Sequence, residues 1–173
     1  MSIMGIAQWI QATVPAQAIS QSAWMFPAAE TIHVIAIALV VGSIAVLDLR
    51  LLGISWTQRP ITEIAKEVLP WTWSSFGIAA IAGSVMFISA AGKYIADVPF
   101  QLKFVLLFLA GVNMAVFHRF TYSNVALWDH GVPPPRAAKI AAALSLTFWV
   151  GVVTCGRLVS FSIENQFGPV GGS

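Results

Sequence analysis

The sequence predicts an all-α integral membrane protein: a four-helix bundle preceded by an N-terminal interfacial helical segment. Three observations carry this expectation. Of 173 residues, 58% are hydrophobic and only 9% charged, where a soluble domain carries about 25% charged residues. Mean hydropathy is +0.81. Four apolar stretches, at 29–53, 74–96, 101–122 and 138–163, each reach the ~20 residues that a helix needs to cross a bilayer. The loops between them are too short for a second core, so one membrane domain at 29–163 is expected, with 164–173 as a C-terminal tail whose glycine-rich end, Gly168–Ser173, is frayed.

The first segment, 1–28, contains "SIMGIAQWIQATVPAQAISQSAW". It holds no Lys or Arg, so the basic region of a cleaved leader is absent. It is too short to span and is interrupted by Pro15. One or two short helices lying on the membrane surface fit it best.

The first span follows as "FPAAETIHVIAIALVVGSIAVLDLRLLG". Pro27 suits a first helical turn, where its missing N–H is not needed. At about 100° per residue, Glu30, His33 and Asp48 share one side with Ile37, Val40, Ile44 and Leu51. Ionisable groups cost about 2.5–3.5 kcal/mol at the bilayer centre on insertion scales, so this side is expected to face the bundle interior.

The second span carries Gly77, Ala80, Ser84 and Ala91 at helical spacing, and the fourth carries Thr147, Gly151, Thr154 and Cys155. Such stripes let helix backbones approach in lipid. The third span sets Lys103, Leu107, Gly111, Met114 and His118 on one stripe, with Asn113 turned toward a neighbouring helix. "VPPPR" at 132–136 is a rigid turn before the fourth span, in which Trp149 packs mid-helix.

Positive charge sets the orientation. Arg50, Arg59, Lys66, Arg119, Arg136 and Lys139 flank the loops at 54–73 and 123–137; Lys93, Lys103 and Arg157 lie on the other side. Six against three puts those loops in the cytoplasm and both termini in the periplasm of a bacterial inner membrane. Trp9, Trp24 and Phe26 on one side, and Trp56, Trp71, Trp73 and Trp128 on the other, form the interfacial belts.

Some chemistries are excluded. One cysteine, Cys155, permits no internal disulfide and no Cys-x-x-Cys site, and it reads as a packing residue. A net charge of +2 gives no footprint for nucleic acid. Glu30-x-x-His33 has di-iron bundle spacing, but no second such pair exists.

Spans 1 and 3 run the same way, and Lys103 to His118 rises roughly 22 Å at 1.5 Å per residue. His33 and His118 therefore belong to opposite membrane faces and cannot both ligate one haem. An outer group gathers His33 and Glu30 with Lys93, Tyr94, Lys103 and Arg157. An inner group gathers His118 and Asp48 with Arg50 and Arg119; His130, in "LWDHG", reads as a solvated loop residue.

"TIHVIAIALVVGSIAVLDLRLLG" and "FQLKFVLLFLAGVNMAVFH" resemble two core helices of the bacterial membrane group that includes CopD-type copper-resistance proteins and HemJ-type protoporphyrinogen oxidases. The likeness covers residues 28–122. It implies a haem b-binding bundle in which His33 is the axial ligand of the haem iron and Lys103 lies close to the site. Arg157 is placed by topology to meet a propionate, and His118 is a further cofactor-binding candidate. No Met- or His-rich stretch for copper delivery accompanies the likeness.

The function expected is electron transfer by haem b, linked to a quinone or a porphyrinogen. The partners expected are the lipid bilayer and either a second copy or a redox protein. A small proton or metal transporter is one alternative, and a cofactor-free structural subunit is another.

Overall fold

The computed structural model describes residues 3–129 and 132–167, the last four by backbone alone. His130 and the tail Gly168–Ser173 lie outside the described residues. Two short helices, α1 (Ile3–Gln11) and α2 (Val14–Gln21), lead into α3 (Met25–Leu52), α4 (Ile61–Ser89), the single-turn α5 (Ala91–Ala96), α6 (Val98–Val116) and α7 (Arg136–Phe167). Beyond α6 the helix loosens into a π turn at Phe117–Thr121 and a 3-10 turn at Tyr122–Leu127. Four helices are long and apolar enough to cross a membrane: 25–52, 61–89, 98–127 and 136–163. The chain is an all-α, multi-pass membrane bundle.

α3 packs along α4 and also against α7, and α7 packs along α6. α4 and α6 have no comparable backbone contact. The bundle is thus an arc, α4–α3–α7–α6, whose two outer helices face each other across a gap. At the end bearing His33 the gap is bridged by rings: Phe87 of α4 stacks on Phe100 of α6 at 5.7 Å, and Tyr94 of α5 lies 5.2 Å from Phe100. α1 packs on α5, and α2 on α3 and α4, at that same end.

Two apolar clusters hold the arc. Val40, Trp149 and Val152 form one, with Leu106 and Leu107 against it. Leu51, Ile61, Trp128, Ala138 and Ala142 form the other, at the end of the bundle bearing His118. Cross-helix hydrogen bonds add to them: Ser43 with Thr72 at 2.8 Å, and Asn113 Nδ2 donating to the Ala141 carbonyl at 2.9 Å. Such bonds average about 0.6 kcal/mol within a membrane, so they align the helices more than they hold them. α3 ends on Gly53, whose φ of +79° is open to glycine without steric penalty.

Two expectations need correction. The second span begins at Ile61 and ends at Ser89, against the expected 74–96. Glu63, Lys66, Glu67 and Pro70 dilute the hydropathy of its first turns, although Arg59 folds back onto Glu67 at 2.7 Å and Glu63 at 3.4 Å and so gathers that charge at the helix start. Past Ser89 the chain kinks at Ala90, and 91–96 is a separate turn. The packing face of α4 also differs. Gly77, Ala80 and Ser84 are exposed, and Thr72, Ser75, Ala79 and Ala82 are buried. Both faces are small; Ser43, reaching Thr72, selects the second.

Asp97 caps α6 by accepting the Phe100 N–H at 3.0 Å, and it also accepts the Ser162 hydroxyl of α7. Asp97→Ala removes both bonds at a buried site, and we expect a loss of about 1–2 kcal/mol in reversible unfolding from micelles, with Asp97→Asn losing less.

Candidate functional site

The polar stripe of α3 faces two places. At one end, His33 turns its ring onto α4. Its Nδ1 lies 2.7 Å from the Ala79 carbonyl. A carbonyl only accepts, so Nδ1 carries the hydrogen and Nε2 keeps its lone pair. Nε2 points inward, 3.5 Å from Nζ of Lys103 on α6. Gly83 allows the ring this close: a Cβ there would sit 3.0 Å from Cε1 and 3.2 Å from Nδ1. On α7, Gly156 borders the same pair, its would-be Cβ 3.8 Å from Nζ.

His33 and Lys103, 70 residues apart, are therefore brought together. Of the remaining outer residues, Glu30 is half-buried and its charge acts on Tyr94; Arg157 is exposed on α7 beside Gly156. Burial first, and then the charges of Glu30 and Asp97, push the Tyr94 hydroxyl up to about 12. The ultraviolet band of its phenolate, assigned by its absence in Tyr94→Phe, is expected to rise with a midpoint near that value. In Glu30→Gln the midpoint should fall, because a repelling charge is gone.

At the other end, Asp48 and His118 line a common cavity of about 270 Å³ bordered by α3, α4, α6 and α7. Asp48 is buried. Ser145 of α7 hydrogen-bonds its carboxyl, but Oδ2 has no partner among the described residues. His118 donates from Nδ1 to the Met114 carbonyl at 3.0 Å and lies tilted beside Tyr122, with ring centroids 5.2 Å apart. Arg50 donates instead to the Arg59 carbonyl at 2.8 Å, and Arg119 is exposed over the Phe120 ring. Leu107, Gly111, Met114 and His118, expected on one stripe, all line the cavity.

The chain belongs to the DUF6644 family. The model of that family, described as a family of unknown function, matches residues 22–162, which take in both polar sites and all four long helices. No curated protein and no solved structure matches the chain.

Sequence reasoning missed Gly83 and the cavity. Gly83 lies among several small residues of α4 with no mark to distinguish it. The cavity follows from the missing α4–α6 contact, which no local pattern encodes. Among the described residues no cluster of three His, Cys, Asp or Glu side chains suited to a bare metal ion is present.

Proposed function

We propose that this chain is a haem b-binding redox protein of the bacterial inner membrane, with His33 as the axial ligand and Lys103 beside it. The observation that carries this reading is the state of the His33 ring: Nδ1–H is held by the Ala79 carbonyl, and the Nε2 lone pair is directed inward at Lys103. A metal-ligating imidazole commonly donates its other N–H in this way, which fixes its tautomer and orientation. His33 and Lys103 are also the two anchors implied by the resemblance to the CopD and HemJ group.

The donor set fits a haem iron. Nε2 of His33 is the nitrogen that would hold the iron, and Nζ of Lys103, 3.5 Å away, is the neighbouring donor that would have to move aside or share it, which its flexible four-carbon stem permits. Arg157 is the exposed cation available to a propionate. The haem would supply one-electron chemistry, and the chain would tune it through the axial ligand and burial. His118, at the opposite end of the bundle, stands outside this haem site.

The Val40–Trp149–Val152 cluster lies between the two polar sites along α3 and α7. That apolar layer favours a redox role over a continuous polar path for protons or metal ions. The test is a visible spectrum of the purified protein, oxidised and reduced. A Soret band with reduced α and β bands, absent from a folded His33→Ala variant, supports the reading. A folded but colourless wild-type protein, expressed with ample haem, refutes it.

A further inference from the structure

The cavity beside Asp48 is a second site, distinct from His33. Asp48 is 6% exposed, lines the cavity, and leaves Oδ2 without a hydrogen-bond partner. A buried polar atom left unmade costs roughly 1–3 kcal/mol, so a ligand that completes it gains what the protein lacks. His118, with Nδ1–H engaged by the Met114 carbonyl, borders the same space. An ionised carboxylate only accepts, so a ligand that donates to Oδ2 completes it.

Most of the rest of the lining is apolar and aromatic, including Trp73, Phe76 and Met114, which are exposed along the α4–α6 gap; Thr72, Asn113, Ser145 and Tyr122 add polar groups, the first three engaged with Ser43, the Ala141 carbonyl and Asp48. Because α4 and α6 do not close on each other at this level, the cavity is reached sideways, from within the bilayer. Its size of about 270 Å³ exceeds the ~150 Å³ cavity known to take benzene. One ring fits, and a chain attached to it leaves through the gap.

We propose that this cavity binds the head of a membrane-soluble hydroquinone, which enters between α4 and α6 and donates its hydroxyl to Asp48. The acceptor character of the site disfavours a phosphate headgroup, which would face the carboxyl with like charge or with acceptors alone. A hydroquinone would also be the electron partner that the haem reading requires; that role rests on the haem reading, and the binding does not.

The experiment uses the full chain in phosphatidylcholine nanodiscs, with or without haem. 2-Decylhydroquinone is titrated against its dimethyl ether, which has the same body and no O–H, and the dissociation constant is read from the rise in unfolding temperature. The hydroquinone is expected to bind at least ~10-fold tighter than the ether, the discrimination of a site left with an unpaired buried acceptor. Gly111→Leu fills the cavity, since a Cβ at Gly111 meets nothing within 4 Å, and should abolish the effect with the fold retained. Asp48→Leu should remove the preference over the ether; if it fails to fold, Gly111→Leu carries the test. Equal binding of both probes, or binding unchanged in Gly111→Leu, overturns the proposal. So does native mass spectrometry that finds a phospholipid held by wild type and released by Gly111→Leu. Hydroquinone binding to colourless protein separates this site from the fate of the haem reading.

Discussion

On the haem reading, His33→Gly is expected to emerge from purification with haem occupancy reduced at least ~10-fold, and to regain a Soret band when imidazole is supplied at millimolar concentration. Loss alone would not separate a ligand from a packing residue; rescue does. Removing the ring opens a space bounded by Gly83, which a Cβ would otherwise crowd at 3.0 Å, and by the Ala79 carbonyl 2.7 Å from the vacated Nδ1. Free imidazole can enter that space, donate to the carbonyl and present its other nitrogen inward, as the side chain does. The structural loss is modest. The Ala79 carbonyl forfeits one hydrogen bond, about 1 kcal/mol, so the apoprotein should still fold. Pyrrole, which has the same ring shape and an N–H but no second nitrogen lone pair, should restore stability without colour. Equal haem content in His33→Gly and wild type would remove His33 from the site altogether.

The four crossings were legible because apolar length alone determines them. Orientation of α3 was legible too: the face bearing His33, Val40, Asp48 and Leu51 is the buried or half-buried one, since Glu30, His33 and Asp48 on one side of an otherwise oily span leave one direction to turn. Asn113, Trp149 and Cys155 went where their chemistry sends them: a cross-helix hydrogen bond, a core cluster and a buried packing site. α4 was read less well, for two reasons. Its first three turns carry charge that lies close to the helix start, where a hydropathy window scores it as loop. Its two faces are both lined with small residues, and only the partner decides which is used. Thr72 meeting Ser43 is a pairwise fact. The α4–α6 gap is more distant still from sequence, because it depends on which pairs of helices fail to touch.

Gly151→Leu is expected to destabilise the bundle by about 1–3 kcal/mol, the usual cost of forcing bulk into a packed core. Among the described glycines it makes the closest approach: a Cβ there would fall 2.9 Å from Cδ1 of Leu106, and 3.6 Å from Cδ2. Leu106 cannot simply retreat, because it packs against Val40, Trp149 and Val152. Among the described residues the α6–α7 contact is the main hold on α6, since α4 adds little beyond the Phe87–Phe100 ring stack at one end. Side chains in lipid gain little from hydrophobic transfer, so close packing is what binds one helix to another. Widening the α6–α7 seam should therefore move α6 as a unit, carrying Lys103 away from His33 and Met114 away from the cavity. The double variant Gly151→Leu with Leu106→Ala returns most of the lost volume and should recover more than half of the stability, a coupling that a mutant cycle in unfolding experiments measures directly. Independent, additive losses would mean that the two residues do not share the seam.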